Sequence, residues 1–224
     1  MITISEILDP AGVQALRRQA DMLVWKDGDE TAGAAAQRVK KNSQADLSSR
    51  TGAAMRQTIE QALFEHPVLK AAAWPRQFSK PLISRMEIGD GYGLHVDNPL
   101  IGSGAQRMRT DLSYTLFLSA PGDYEGGELV IELMGETHQV KGKAGDVVVY
   151  PSTSLHRVRL VTAGTRLVCV GWIESMVRDA AQREILFDLE SVRAELAKTH
   201  APEAPEMLVI SKTIANLLRQ WAQP

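Results

Sequence analysis

The sequence predicts a mainly β domain, a sandwich or barrel, with helices added at both ends. Three observations carry this expectation. From Pro81 to Ile173 short β-rich runs alternate with glycine turns, and on either side of that stretch apolar residues recur at helical spacing. A length of 224 residues fits one medium-sized domain with a helical addition and would crowd two.

Taken in order, Asp9-Pro10 is a helix start, because Asp caps free amides and Pro tolerates the first helical position. Val13, Leu16, Ala20, Leu23 and Val24 then follow at helical spacing. Beyond a polar stretch from Asp27 to Ser49, a second helix is expected over Leu47 to Phe64, with Met55, Ile59, Ala62 and Leu63 repeating, until His66-Pro67 stops it. The expected strands are Leu82 to Ile88, Asp111 to Leu118, Glu128 to Leu133, Thr137 to Lys141, Val147 to Tyr150, Leu155 to Val161 and Thr165 to Ile173. Gly89, Gly91 and Gly93 read as turn residues, and further turns fall at Pro121-Gly122-Asp123, Gly126-Gly127, Gly135, Ala144-Gly145-Asp146 and Ala163-Gly164. After Ser175 helical spacing returns through Val177, Ile185, Leu186, Leu189 and Val192, and Ala201 to Glu206 breaks it. A last stripe of Ile210, Ile214, Leu217, Leu218 and Trp221 must pack on its own domain or on a second subunit, which leaves a homodimer open. Trp172 and Trp221 read as core or interface aromatics.

The 25 basic and 27 acidic side chains leave a net charge of −2, which gives no field directed at nucleic acid or an anionic membrane. The expected partner is a small molecule or a peptide. Cys169, the single cysteine, lies in an apolar run and reads as a core residue in a reducing compartment rather than a nucleophile. No secretion signal or membrane-length apolar segment is evident, so the expected location is the cytoplasm.

Five histidines allow a nearly exhaustive search for a metal site. In His95-Val96-Asp97 an extended backbone turns residues two apart to the same side, so an imidazole and a carboxylate can converge on one ion. His156, opening an expected strand, is the best-placed third ligand. Two histidines and one carboxylate with open positions are the set associated with non-haem iron(II) oxygenases. His66, His138 and His200 lack partners at suitable spacing and read as surface residues. Arg166 follows His156 by ten residues. If Thr162-Ala163-Gly164 is a three-residue hairpin loop, Leu160 pairs with Arg166, and even-numbered residues of both strands share a face. His156 and Arg166 would then point into one cavity, offset by roughly 13 Å of strand. A planar guanidinium there suits the far carboxylate of a dicarboxylate that chelates the metal.

The run Arg85 to Asn98, the segment Asp123 to Leu129, and the stretch from Ala144-Gly145-Asp146 through Tyr150-Pro151 and His156 to Arg166 resemble the bacterial PKHD-type hydroxylases, a branch of the prolyl-4-hydroxylase-like iron(II)/2-oxoglutarate dioxygenases. The similarity extends through both helical ends. It implies a double-stranded β-helix, jelly-roll or cupin-like, in a dioxygenase domain over residues 1–176 (β core about 81–174), with a helical extension over 177–224. It also implies iron held by His95, Asp97 and His156, 2-oxoglutarate held by Arg166, and ascorbate as reductant. The implied reaction hydroxylates a peptidyl or amino-acid-like substrate with O2 and releases succinate and CO2. Because Asp97 is present, hydroxylation is expected over halogenation. One departure is Met86, where related hydroxylases often carry a tyrosine. The competing readings are a cupin-like metalloprotein, which has no need of Arg166, and a non-catalytic binding module, which would tolerate loss of His95. Gly102 and Gly104 give the loop Pro99 to Arg109 the makings of a lid as readily as of a plain connection.

Overall fold

The computed structural model describes residues 1–28, 39–104 and 107–223; residues 29–38 of the polar stretch, and Ala105 and Gln106 of the loop after Pro99, lie outside them. The chain opens with β1 (Ile2–Ile4), α1 (Pro10–Ala20), β2 (Trp25–Asp27), β3 (Lys40–Lys41) and β4 (Ser43–Ala45). Helices α2 (Arg50–Glu65) and α3 (Pro67–Ala73) precede β5 (Pro75–Phe78), β6 (Leu82–Met86), β7 (Gly91–His95), β8 (Leu100–Ile101) and β9 (Met108–Arg109). Then come β10 (Leu112–Phe117), β11 (Tyr124–Gly126), β12 (Leu129–Leu133), β13 (Glu136–Val140), β14 (Val147–Pro151), β15 (His156–Val158), β16 (Val161–Gly164) and β17 (Arg166–Ser175). Helices α4 (Ala180–Leu196) and α5 (Pro205–Trp221) follow.

Two antiparallel sheets face each other, as the jelly-roll expectation requires. The larger runs β1-β14-β10-β17-β6-β4-β2, with β5 also paired to β17, and the smaller runs β13-β12-β15-β7-β3. The outer face of the larger sheet is covered by helices: Val13 and Leu16 of α1, Met55 and Ile59 of α2 and Leu69 of α3 pack with Tyr114, Leu116, Val149, Cys169 and Ile173. Its inner face turns Ser113, Thr115, Val168, Val170 and Trp172 into the cavity between the sheets. Every residue of β10 is buried, because helices lie on one side and the cavity on the other.

Local chemistry sets the helix starts. Asp9 accepts from the Gly12 amide at 2.6 Å and Ser49 from the Gly52 amide at 3.0 Å, so α2 begins after Ser49 rather than at Leu47. Pro67 ends one helix and also opens the next, since its missing N–H is free of cost at a first helical position.

The strands depart from expectation in three places. First, Gly91 and Gly93 belong to β7 rather than to turns; Val158 and Leu160 crowd Gly91 so closely that a Cβ would lie 3.1 Å from them, so glycine there permits close approach of chains. Second, the expected strand Leu155 to Val161 is split into β15 and the start of β16. Third, Leu160 does not pair with Arg166. Instead β16 pairs with β11, matching Tyr124 with Gly164, while Arg166 opens β17 and pairs with Met86 of β6. Gly164 does take a left-handed φ of 70°, but a left-handed glycine fixes a bend, not the identity of the paired strands. The polar stretch also contributes strands β3 and β4, and β2 ends on its first residue, Asp27; polar composition conceals them.

The Pro99 to Arg109 segment carries the β8–β9 hairpin, whose base is tied down by Arg109 gripping Asp111 with bonds of 2.7 and 2.8 Å. The C-terminal stripe finds its partner within the chain: Ile214 is buried with Val177 and Leu186, and Trp74, Leu189, Ile210, Leu217 and Trp221 surround them. Among the described residues no helix is long and apolar enough to cross a membrane. Replacing Ile214, 3% exposed, by Ala is expected to cost about 2–5 kcal/mol. Urea denaturation would read this as a lower midpoint, with Val209→Ala, exposed on the same helix, nearly unchanged.

Candidate functional site

His95 ends β7, and Asp97 stands two residues on, past the last paired residue of that strand. His156 begins β15, and the register places it directly across from His95. One ligand atom from each of the three residues lies within 4.8 Å of the others, and their side chains are 7%, 10% and 6% exposed. The Nε2 atoms of His95 and His156 stand 4.0 and 3.7 Å from the Asp97 carboxylate, too far for hydrogen bonds. The rings are fixed from behind: His95 Nδ1 meets the Gly93 carbonyl at 2.8 Å and His156 Nδ1 the Ser154 carbonyl at 3.1 Å. A carbonyl only accepts, so each Nδ1 carries a proton and each Nε2 is the nitrogen turned toward the carboxylate. This donor set, two imidazoles and a carboxylate around a common gap, fits a divalent transition-metal ion.

The electrostatics agree with that fit. Burial, reinforced by neighbouring His156, pushes the His95 imidazole down to about 4, so it is neutral at pH 7, as a ligand must be. Tyr92 stacks on the His95 ring with centroids 3.6 Å apart, and burial, then the Asp97 charge, push its phenol up to about 12. Tyr150 meets His156 edge-on at 5.2 Å, and burial holds its phenol well above the usual range.

Arg166 lies in the same cavity, of about 250 Å³, and is 2% exposed. The route by which it arrives differs from the expected hairpin, because β15 and β17 sit in opposing sheets and their side chains meet across the space between them. Among the described residues its guanidinium forms no salt bridge, and its Nε makes no hydrogen bond. Burial works against its charge, and the phenols of Tyr124 and Tyr150 partly offset that. The Tyr124 hydroxyl stands beside the guanidinium without hydrogen-bond geometry and is itself unpartnered. Gly127, at a left-handed φ of 65°, makes room for both: a Cβ there would come within 3.0 Å of the Arg166 stem and of the Tyr124 ring. Met86, paired across from Arg166, lines the cavity beside it.

Several residues escaped the sequence reading. Trp172 lines the cavity rather than the core. Ser113 and Thr115 point inward from a strand whose other positions are apolar or aromatic, a period-two signal that was available. Lys40, Asn42 and Gln44 line one wall at alternate positions where the chain passes from β3 of one sheet to β4 of the other. Their role has no motif to announce it.

Comparison with known proteins agrees with this geometry. Residues 81–174 match the 2OG-Fe(II) oxygenase superfamily and residues 180–223 the PKHD-type hydroxylase C-terminal domain. A PKHD-type hydroxylase of Hyphomonas neptunium is 52% identical over 222 residues, covering 99% of each chain. Among solved structures, a Trichoplax adhaerens prolyl hydroxylase in complex with a hypoxia inducible factor peptide fragment shares the fold, with a TM-score of 0.60 and 13% identity over 77% of this chain and 83% of that one. HygX of Streptomyces hygroscopicus, with nickel, 2-oxoglutarate and hygromycin B bound, aligns with a TM-score of 0.51 and 15% identity over 77% and 82%. The chain belongs to the PKHD-type hydroxylase family and is an oxygenase of the 2-oxoglutarate- and iron(II)-dependent class.

Proposed function

We propose that this enzyme hydroxylates a peptidyl or amino-acid-like substrate, that His95, Asp97 and His156 hold its iron(II), and that Arg166 receives the far carboxylate of 2-oxoglutarate. The observation that carries this reading is the buried Arg166 cation, which forms no salt bridge among the described residues, in one cavity with the candidate metal-ligating set. A buried charge without a counter-ion is costly, and a dicarboxylate spanning from the ion to the guanidinium would supply that counter-ion. A cupin-like protein without 2-oxoglutarate would have no use for such a group.

Bound iron(II) would supply the oxygen activation that couples decarboxylation of 2-oxoglutarate, to succinate and CO2, with hydroxylation of a C–H bond. The chain's own residues do the rest. His95 and His156 present Nε2 because their Nδ1 protons are committed to strand carbonyls. Arg166 orients the cosubstrate through its planar donor fork. Val168 and Val170, which follow Arg166 on the cavity side of the same strand, make that wall of the cavity apolar. Trp172, Asn98 and the Lys40-Asn42-Gln44 wall line the part of the cavity where the substrate would sit. Ascorbate serves as the reductant that recovers enzyme oxidised in unproductive turnovers.

Anaerobic addition of iron(II) and 2-oxoglutarate is expected to give a visible charge-transfer band, and admission of air with substrate to release succinate. Absence of the band would overturn the reading. Arg166→Ala should weaken 2-oxoglutarate binding by about 100-fold, the equivalent of losing a charge-assisted pair worth roughly 3 kcal/mol, while metal affinity is kept. The depressed His95 pKa has its own consequence. Between pH 6.5, the unperturbed value, and about 4, the unfolded chain takes up a proton at this position and the folded one resists it. Stability of the metal-free protein is therefore lost as pH falls through this window. Melting curves from pH 7 to pH 4 should drop more steeply for the wild type than for His95→Gln.

A further inference from the structure

The three metal-ligating side chains are not secured alike. Both histidines lie on paired strands and are braced by carbonyls two residues back, but Asp97 lies past the paired residues of β7, where no strand partner among the described residues fixes it. Its bracing comes from across the cavity. Ser113 Oγ donates to Asp97 Oδ2 at 2.6 Å and lies 2.7 Å from Ser152 Oγ. Both serines are nearly inaccessible, at 2% and 3% exposure.

The proton inventory gives this chain a direction. An ionised carboxylate only accepts, and a serine hydroxyl has one proton. Ser113 spends its proton on Asp97, so Ser152 must donate to Ser113, and each bond polarises the next. The support beneath is rigid. Ser113 sits on β10, between β14 and β17 in the middle of the larger sheet, and the Ser152 amide is held by the Asp111 carbonyl at 3.1 Å.

We propose that Ser113, backed by Ser152, is a positioning residue that, through its bond to Oδ2, holds the Asp97 carboxylate facing the gap between the two imidazoles. The inference rests on the reading that Asp97 is a metal ligand, and it goes further by naming what steadies that carboxylate.

Mn(II) is the probe, with free ion counted by its paramagnetic resonance signal and no turnover required. Ser113→Ala is expected to lower Mn(II) affinity roughly 10- to 100-fold, as loss of a partner behind a ligand does elsewhere. Ser113→Thr, which restores a hydroxyl, should return it close to wild type, and Ser152→Ala should give a smaller loss in the same direction. Ser113→Ala should lower the metal-free melting temperature only slightly, as loss of one bond to a buried carboxylate does, and Ser113→Thr should restore it along with the affinity. Undiminished Mn(II) affinity in Ser113→Ala would overturn the proposal. So would a loss that Thr fails to rescue and that comes with a lower metal-free melting temperature, because the serine would then be only packing. A wild-type chain that fails to bind Mn(II) would instead sink the metal assignment on which this rests.

Discussion

The site depends on keeping charge inside a β sandwich where water cannot solvate it. His95, Asp97, His156 and Arg166 are polar or charged and nearly inaccessible, in a space whose apolar walls include Val158, Val168, Val170 and Leu129. Such groups survive burial only when each is paired, neutralised or awaiting a ligand. The His95 imidazole is held neutral by burial, the carboxylate accepts from a serine, and the guanidinium stands beside two phenols. What remains unbalanced, one cation and a gap between three ligand atoms, is what a metal and a dicarboxylate would complete.

Much of this was legible in the residues. The spacing of His95 and Asp97 gave the shared face because period two is a property of any extended backbone. That Arg166 shares a cavity with His156 was also right, but the hairpin invoked to place it was not. Strand parity turns both residues inward, yet which strands pair depends on contacts remote in sequence, such as β16 against β11. The sheet that carries His95 was obscured by glycines that serve close packing between chains. The family resemblance covered these gaps, since it rests on ordered motifs rather than on local propensity.

Other parts left weak traces. Ser113 and Thr115 interrupt an otherwise apolar strand at every second position, and a strand buried on both faces has little reason to carry hydroxyls unless one face is polar. Lys40, Asn42 and Gln44 could not be singled out, because alternation within a polar stretch looks like composition. The C-terminal stripe could be seen as a buried face, and its buried partners, Val177 and Leu186, lie just ahead of it, but Trp74, which also packs there, lies more than a hundred positions earlier in the chain.

The double duty of β10 has a practical corollary. One face of that strand anchors the helical layer through Tyr114 and Leu116, and the other holds the hydroxyl that steadies Asp97. Loosening either layer therefore disturbs the other through a shared backbone ladder. Warming this enzyme should erase its chemistry and its tertiary order together, with no separate, earlier melting of the metal pocket.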